Sequence, residues 1–397
     1  MPDRDPTSGP DVPADSQGLK GDALVMAACL TAAAVLGFCL WLWSSLGSKG
    51  PGGTSDLASR DAPLASLFVG DSSCSDCHPG ETASHARSGH SRTLRPAAQA
   101  GEALALDGRT FHDNEQDADW RFALRGNSLV ASRKAQGELS QFIMEYAFGS
   151  GRHATTFVSL TDRNPERPSS LEHRVSYFAA SDALDVTPGQ DASTTVDPHE
   201  LSPSGRNLGP GKTLECFGCH ATLLRAEGDQ ALDARTMVPN VTCERCHGPA
   251  RAHVEAARQG RKGPPMPFGL RGSSADLQMR HCGFCHRHPD MAPPGEIHPD
   301  NPGLARFQPV GLLQSSCYKK SPGGLPCTAC HDPHARASTD AEGYEAACLS
   351  CHGEAPQTSC PVSPARGCVP CHMPARDSGQ NISFHDHWIR IPAKASP

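Results

Sequence analysis

Seven times in this chain a Cys-x-x-Cys pair is followed at once by histidine. The runs are CSDCH (Cys74, Cys77, His78), CFGCH (Cys216, Cys219, His220), CERCH (Cys243, Cys246, His247), CGFCH (Cys282, Cys285, His286), CTACH (Cys327, Cys330, His331), CLSCH (Cys348, Cys351, His352) and CVPCH (Cys368, Cys371, His372). With 20 His in 397 residues, seven coincidences would arise by chance roughly once in 10⁹, for a pattern read as covalent c-type haem attachment. Two thiols three positions apart can add across the two vinyl groups on one porphyrin edge, and the adjoining imidazole then lies under the iron as its proximal ligand. Zinc ribbons and disulfide scaffolds also use Cys-x-x-Cys pairs, but neither needs a His after every second Cys. The motifs therefore predict seven haems c.

Composition fits that reading. Aromatics are 5% of the chain, and 38 Gly plus 35 Pro make it rich in loops and poor in packing material. A haem buries more apolar surface than any side chain, so seven of them can serve as the core. The formal net charge of −7, from 36 Lys plus Arg against 43 Asp plus Glu, argues against a nucleic-acid partner. Haem propionates would deepen that acidity unless Arg or Lys compensates, which favours redox partner proteins with a basic docking patch and an encounter weakened by salt.

Residues 23–46 (ALVMAACLTAAAVLGFCLWLWSSL) form an uncharged apolar run long enough to span a bilayer as a helix, with Trp41 and Trp43 at one end. The run is longer than the apolar region of a cleaved signal peptide and follows a polar lead of 22 residues. It reads as an uncleaved single-pass signal-anchor, with cleavage near Gly47 as the alternative. Covalent haem attachment occurs outside the cytoplasmic membrane, so the haem domain is expected on the exported, periplasmic side and residues 1–22 in the cytoplasm.

A Gly/Ser/Pro linker follows at 47–65, then an N-terminal domain (66–210) with one haem and a hexahaem domain (211–397). In the first of these, Trp120–Ala131 alternates around a Gly-Asn pair and predicts a small β element between the first and second motifs. Successive motifs from Cys216 onward start 27, 39, 45, 21 and 20 residues apart, without a solenoid period. Short helices are expected after the proximal His residues, as at 223–234 (LLRAEGDQALDA) and 250–260 (ARAHVEAARQG). The expected fold class is a multihaem cytochrome c of mostly short α-helices and loops packed on haems, with one transmembrane helix.

The longer composites around the motifs are FVGDSSCSDCHPG with SGH after it, FGSGRHATTF, VPNVTCERCHGPARAHV, RFQPVGLLQSSCYKKSPGGLPCTACHDPH, CPVSPARGCVPCHMP and the terminal DHWIRIP. In these the chain resembles the multihaem c-type cytochromes related to the tetrahaem ammonia-oxidation cytochrome and to the doubled Cys-x-x-Cys-His proteins often fused to tetratricopeptide repeats. It lacks the tetratricopeptide part and carries the N-terminal anchor instead. The resemblance implies electron transfer through closely packed, mostly bis-His haems. It also implies His90, His153, His253, His334 and His387 as distal ligands, while the residues alone leave His112, His281, His288 and His298 as lesser candidates.

Cys317 and Cys360 remain after the haem count. In an exported protein two such residues predict a disulfide, with two buried free thiols as the alternative. Two functions follow from the whole pattern. One is a membrane-anchored electron carrier in which the haems form a chain. The other is a multihaem oxidoreductase with one open-site haem acting on a small nitrogen or sulfur compound, with Arg152 or Arg245 available to an anion.

Overall fold

The computed structural model describes residues 64–192, 200–226, 230–353, 360–363, 366–377 and 382–391. The expected tail (1–22), the anchor (23–46) and most of the linker lie outside these residues. Among the described residues no helix is long and apolar enough to cross a membrane.

The stretch between the first two motifs departs most from expectation. Instead of a small β element it holds twelve described strands: β1 Leu94–Pro96, β2 Thr110–Asp113, β3 Ala118–Arg125, β4 Ser128–Ala135, β5 Glu138–Met144, β6 Tyr146–Phe148, β7 Ala154–Asp162, β8 Ser169–His173, β9 Val175–Phe178, β10 Ala183–Val186, β11 Leu201–Ser202 and β12 Gly205–Leu208. The anticipated hairpin is β3–β4, paired from Asp119↔Lys134 to Arg125↔Ser128, with Gly126 at φ 57° in the turn. A side chain there would be strained, which is what the glycine avoids. The remaining strands escape a pattern reading for physical reasons. β9 is buried at all four residues and shows no alternation, and the largely polar β8 (SSLEH) and β12 (GRNL) pair with each other across a long sequence separation.

Two sheets result. β2-β3-β4-β5 is an antiparallel meander, and the eight-stranded sheet follows the path β1-β6-β7-β8-β12-β11, with β9 and β10 attached beside β7. Trp120, Phe122, Leu129 and Met144 of the meander pack with Phe157, Val175 and Tyr177 of the larger sheet in one apolar cluster. Each such side chain contributes about 1.5–3 kcal/mol on full burial. The aromatic residues are few but concentrated here, so this half has a core of its own.

Alternation along β7 sends Phe157 into that cluster and Val158 to the opposite face. There Leu94, Phe148, Val158, Phe217, Ala221, Leu224 and Leu232 form a second cluster. Phe217 comes from the helix Pro210–His220, so the sheet positions the second motif directly. Among the described residues of 223–234 (223–226 and 230–234) the expected helix does not form. β13 (Ala221–Leu223) pairs with β14 (Val238–Pro239), and Leu224 and Leu232 are drawn under Phe217 instead of lining one face of a helix. The expected helix at 250–260 forms as Arg251–Arg258.

At the end of β8, His173 is wholly buried, with Nε2 2.8 Å from Ser159 Oγ. Burial lowers its pKa to about 4. The folded protein holds this ring neutral while the unfolded chain protonates it below about pH 6.5. The stabilisation is therefore full above that pH and is lost as pH falls towards 4, by on the order of 3 kcal/mol. Denaturant midpoints measured between pH 7 and 4 should fall less steeply in His173→Gln than in the parent protein. Parallel profiles would remove His173 as the cause.

Candidate functional site

Each motif sits on a short helical turn that fixes its chemistry. Helices Pro210–His220, Cys243–His247, Ala275–His286, Ala341–His352 and Cys368–His372 all end on the motif histidine. In the first and fifth motifs a single turn does the same work, with His78 N donating to Cys74 O at 2.8 Å and His331 N to Cys327 O at 3.0 Å. Residues three apart on such a turn share a face, so the two thiols of a motif can reach one porphyrin edge.

All seven motifs open onto one cavity of about 3530 Å³. An ordinary ligand pocket holds about 300–1000 Å³, so this space suits several large groups. Every motif cysteine except Cys216 lines it, as do all seven motif histidines and eight others: His85, His90, His153, His253, His281, His334, His385 and His387. The five expected distal ligands are thus all present, with His281. His85, which no motif singled out, is brought in by the fold, as is His385, the alternative to His387. His112, His288 and His298 lie away from the cavity, and His112 is held by Asp119 at 2.9 Å. Cys216 instead packs against the cluster around Phe217, and burial pushes its thiol up to about 12.

The cavity wall is apolar and cationic. Phe268, Leu277, Phe284, Val362 and Ile391, large hydrophobic residues exposed in the protein, face this space. Ten Arg and one Lys line it against two Asp and two Glu, although acidic residues outnumber basic ones in the chain as a whole. Apolar faces with an arginine surplus match flat, dianionic macrocycles.

Ring geometry makes the same match. An imidazole nitrogen binds a first-row metal at about 2 Å, which places the centroids of two rings on opposite faces of one iron about 6 Å apart. His247 and His334 lie 6.0 Å apart with planes at 4°, His331 and His387 6.2 Å apart at 28°, and His90 and His286 6.3 Å apart at 76°. Each pair joins a motif histidine to an expected distal one. His153 instead faces Phe384, 5.2 Å away, and His253 is fixed by Pro264 O at 3.1 Å.

Backbone carbonyls fix several of these rings. Nδ1 of His220 meets Thr93 O at 2.9 Å, His372 meets Arg390 O at 2.7 Å, His385 meets Met373 O at 2.7 Å and His387 meets His385 O at 2.9 Å. A carbonyl can only accept, so Nδ1 donates and Nε2 keeps its lone pair, the arrangement that metal-bound histidines use. Burial lowers the pKa of His220 and His286, and that of His387 to about 4. Gly311, on the helix Gln308–Gln314, was missed by the sequence reading. A Cβ there would lie 2.8 Å from Trp388 N and 2.9 Å from His387 C, so only glycine lets the DHWI segment seat His387.

Cysteines of different motifs meet in pairs. Cys74 hydrogen-bonds with Cys243, Cys219 with Cys285 and Cys282 with Cys327, and the accepting thiols Cys219 and Cys282 are drawn down to about 7. Among the described residues the one group of three metal-capable donors is Asp71, His85 and Cys243, within 4.8 Å of one another. No zinc-type Cys₄ centre occurs among them. No bond joins Cys317 and Cys360, the pair expected to form a disulfide, and both line the cavity. Cys317 lies in the field of Cys351 and Cys330, whereas Cys360 adjoins Ser363 and Cys368, so the fold directs the two to different motifs. Of the two arginines considered for an anion, Arg152 donates to Ala337 O at 3.1 Å and Arg245 to Gly218 O at 2.7 Å.

Residues 188–248 match the family model for cytochrome c554 and c-prime. No curated protein matches the chain. Among solved structures, the outer cell wall cytochrome OcwA aligns at a TM-score of 0.46 and 15% identity, covering 82% of this chain and 80% of that one. The family match and the seven motifs support a multihaem c-type cytochrome.

Gly311→Ala should reproduce His387→Ala. Each variant is expected to keep the covalent haem mass of the parent and to gain one high-spin iron signal in electron paramagnetic resonance, with Gly311→Ala also destabilised by about 1–3 kcal/mol. Absence of the signal in His387→Ala would transfer the role to His385.

Proposed function

We propose that this protein is a membrane-anchored, exported electron carrier with seven haems c, most of them held between two histidines, and that electrons cross it along one connected series of motifs. The observation that carries this reading is the unbroken succession of motif contacts around one cavity. Cys74 of the first motif meets Cys243 of the third, Cys246 of the third lies in the field of Cys282 of the fourth, and Cys282 meets Cys327 of the fifth. Tyr344 Oη, on the helix of the sixth motif, stands 3.4 Å from His331 Nδ1, and Glu345 beside it accepts from Gly367 N at 3.0 Å, next to the seventh. The second motif joins at the fourth through Cys219 and Cys285. The order is thus first, third, fourth, fifth, sixth, seventh, with the second as a side branch at the third and fourth, met by Arg245 at Gly218 O and by Cys285 at Cys219.

Haem c would supply reversible one-electron carriage, and each electron received is passed on, so the chain ends as it began. The protein's own residues do the rest. Paired imidazoles would hold the iron, the apolar wall would exclude water, and the arginines would offset propionate charge. The acidic excess away from the cavity favours a basic partner, and the run at 23–46 would keep the carrier beside a membrane donor.

The oxidoreductase reading has one foothold. Three motif histidines stand opposite an imidazole, whereas the aromatic ring beside His220 is the phenyl of Phe148, 5.0 Å between centroids, which makes the second motif one place where an iron could stay open.

Denaturing mass spectrometry of the purified exported protein should give the mass of seven covalent haems. The oxidised protein should show only low-spin iron and the reduced protein no optical shift with carbon monoxide or nitrite. A high-spin signal integrating to one iron, lost in a variant of the second motif, would favour the enzyme. A haem-free, zinc-loaded protein would overturn both readings.

A further inference from the structure

Haem attachment asks for two cysteines and a histidine and leaves the two intervening residues free. In the third motif those residues are Glu244 and Arg245, and neither is spent on solvent. Glu244 is 3% exposed. Its carboxylate accepts from Val69 N at 3.0 Å and Gly70 N at 2.8 Å, in the loop that leads into the first motif, and from Ala250 N at 2.9 Å. The same loop's Asp71 Oδ1 accepts from Cys243 N at 3.0 Å. Arg245 reaches the other way. It donates from Nη2 to Gly218 O, inside the second motif, at 2.7 Å and from Nη1 to Thr222 O at 3.4 Å, and its guanidinium lies 5.1 Å from the centroid of Phe284, inside the fourth motif.

A buried carboxylate is costly unless donors satisfy it, and three backbone N–H groups do so here. A guanidinium can bond in its plane and stack on its face at once, which an ammonium cannot. The two residues therefore touch all three neighbours of the third motif, at the junction where the branch meets the main series.

We propose that Glu244 and Arg245 are positioning residues that set the separation of the first four motifs, and through it the electronic coupling across the junction. The proposal rests on the electron-carrier reading, since spacing matters only if electrons cross there. Such a role predicts that loss of either residue changes coupling while attachment persists.

The test uses the full-length loaded protein and the variants Arg245→Ala, Arg245→Lys and Glu244→Gln, with Arg235→Ala as the control. Arg235 is exposed, lies outside the cavity and pairs with Asp233. Three quantities are read: covalent haem mass, the Soret circular-dichroism couplet that reports contact between neighbouring haems, and the rate of internal electron redistribution after rapid partial reduction. All variants should carry the parent's haem mass. Arg245→Ala and Glu244→Gln should lose much of the couplet and redistribute electrons more slowly, Arg245→Lys should fall between, and Arg235→Ala should match the parent. Should Arg245→Ala fail to fold, Arg245→Lys and Glu244→Gln decide. Parent-like couplets and rates in these variants would overturn the proposal, and a reduced haem mass would do so too, because the pair would then serve attachment. A parent protein without haem would sink the electron-carrier reading itself, before any variant is compared.

Discussion

The side chain of Phe217 joins the two halves of this protein. It stands between the two cysteines of the second motif, fully buried, and meets Tyr146 and Phe148 edge-on at 5.3 and 5.0 Å. Edge-to-face contacts at these distances add to the burial energy of the rings and fix their relative orientation. Through Phe217 the eight-stranded sheet, stiffened from behind by the Trp120 cluster, presents the second motif in one orientation. Arg245 then ties the third motif to the second, and Glu244 ties the first to the third. The motif array is thus hung from the sheet at an apolar joint around Phe217 and propagated by charged groups that bond to backbone.

That division of labour explains what the sequence discloses. Covalent attachment is local chemistry, so all seven motifs are visible as five-residue words. The β half is not local. One hairpin alternates legibly because it has a wet face, whereas β8 and β12 carry no pattern that would pair them, and Leu224 and Leu232, which suggest a helix on paper, are captured by the apolar face beneath Phe217. The scarcity of aromatic residues suggested a chain without a core. Trp120, Phe122, Phe157 and Tyr177, with Phe111 and Phe142 beside them, are instead gathered between the sheets and give that half a core of its own.

The histidines show the same limit more finely. Thirteen remain after the seven motif ligands, all chemically equivalent on paper. The composite motifs named five that the fold does bring to the cavity, and three of these stand opposite a motif histidine at a two-ligand spacing. His85 could not be ranked, because what distinguishes it is burial. The Cys317–Cys360 pairing is an inference from counting, and counting says nothing of where two thiols are carried.

Charge supplies the last constraint. A chain with net negative charge would ordinarily resist gathering more negative charge inside it, since carboxylates in low dielectric repel strongly. Here the basic residues are sorted inward, to the cavity wall, so the interior is electropositive while the exterior carries the acidic excess. Burial disfavours imidazolium, and His387, with a pKa of about 4, stays neutral through the whole physiological range. At His153 the guanidiniums of Arg152 and Arg306 add to burial in the same direction, so arginines that would balance propionates there also favour the neutral ring that a metal would need.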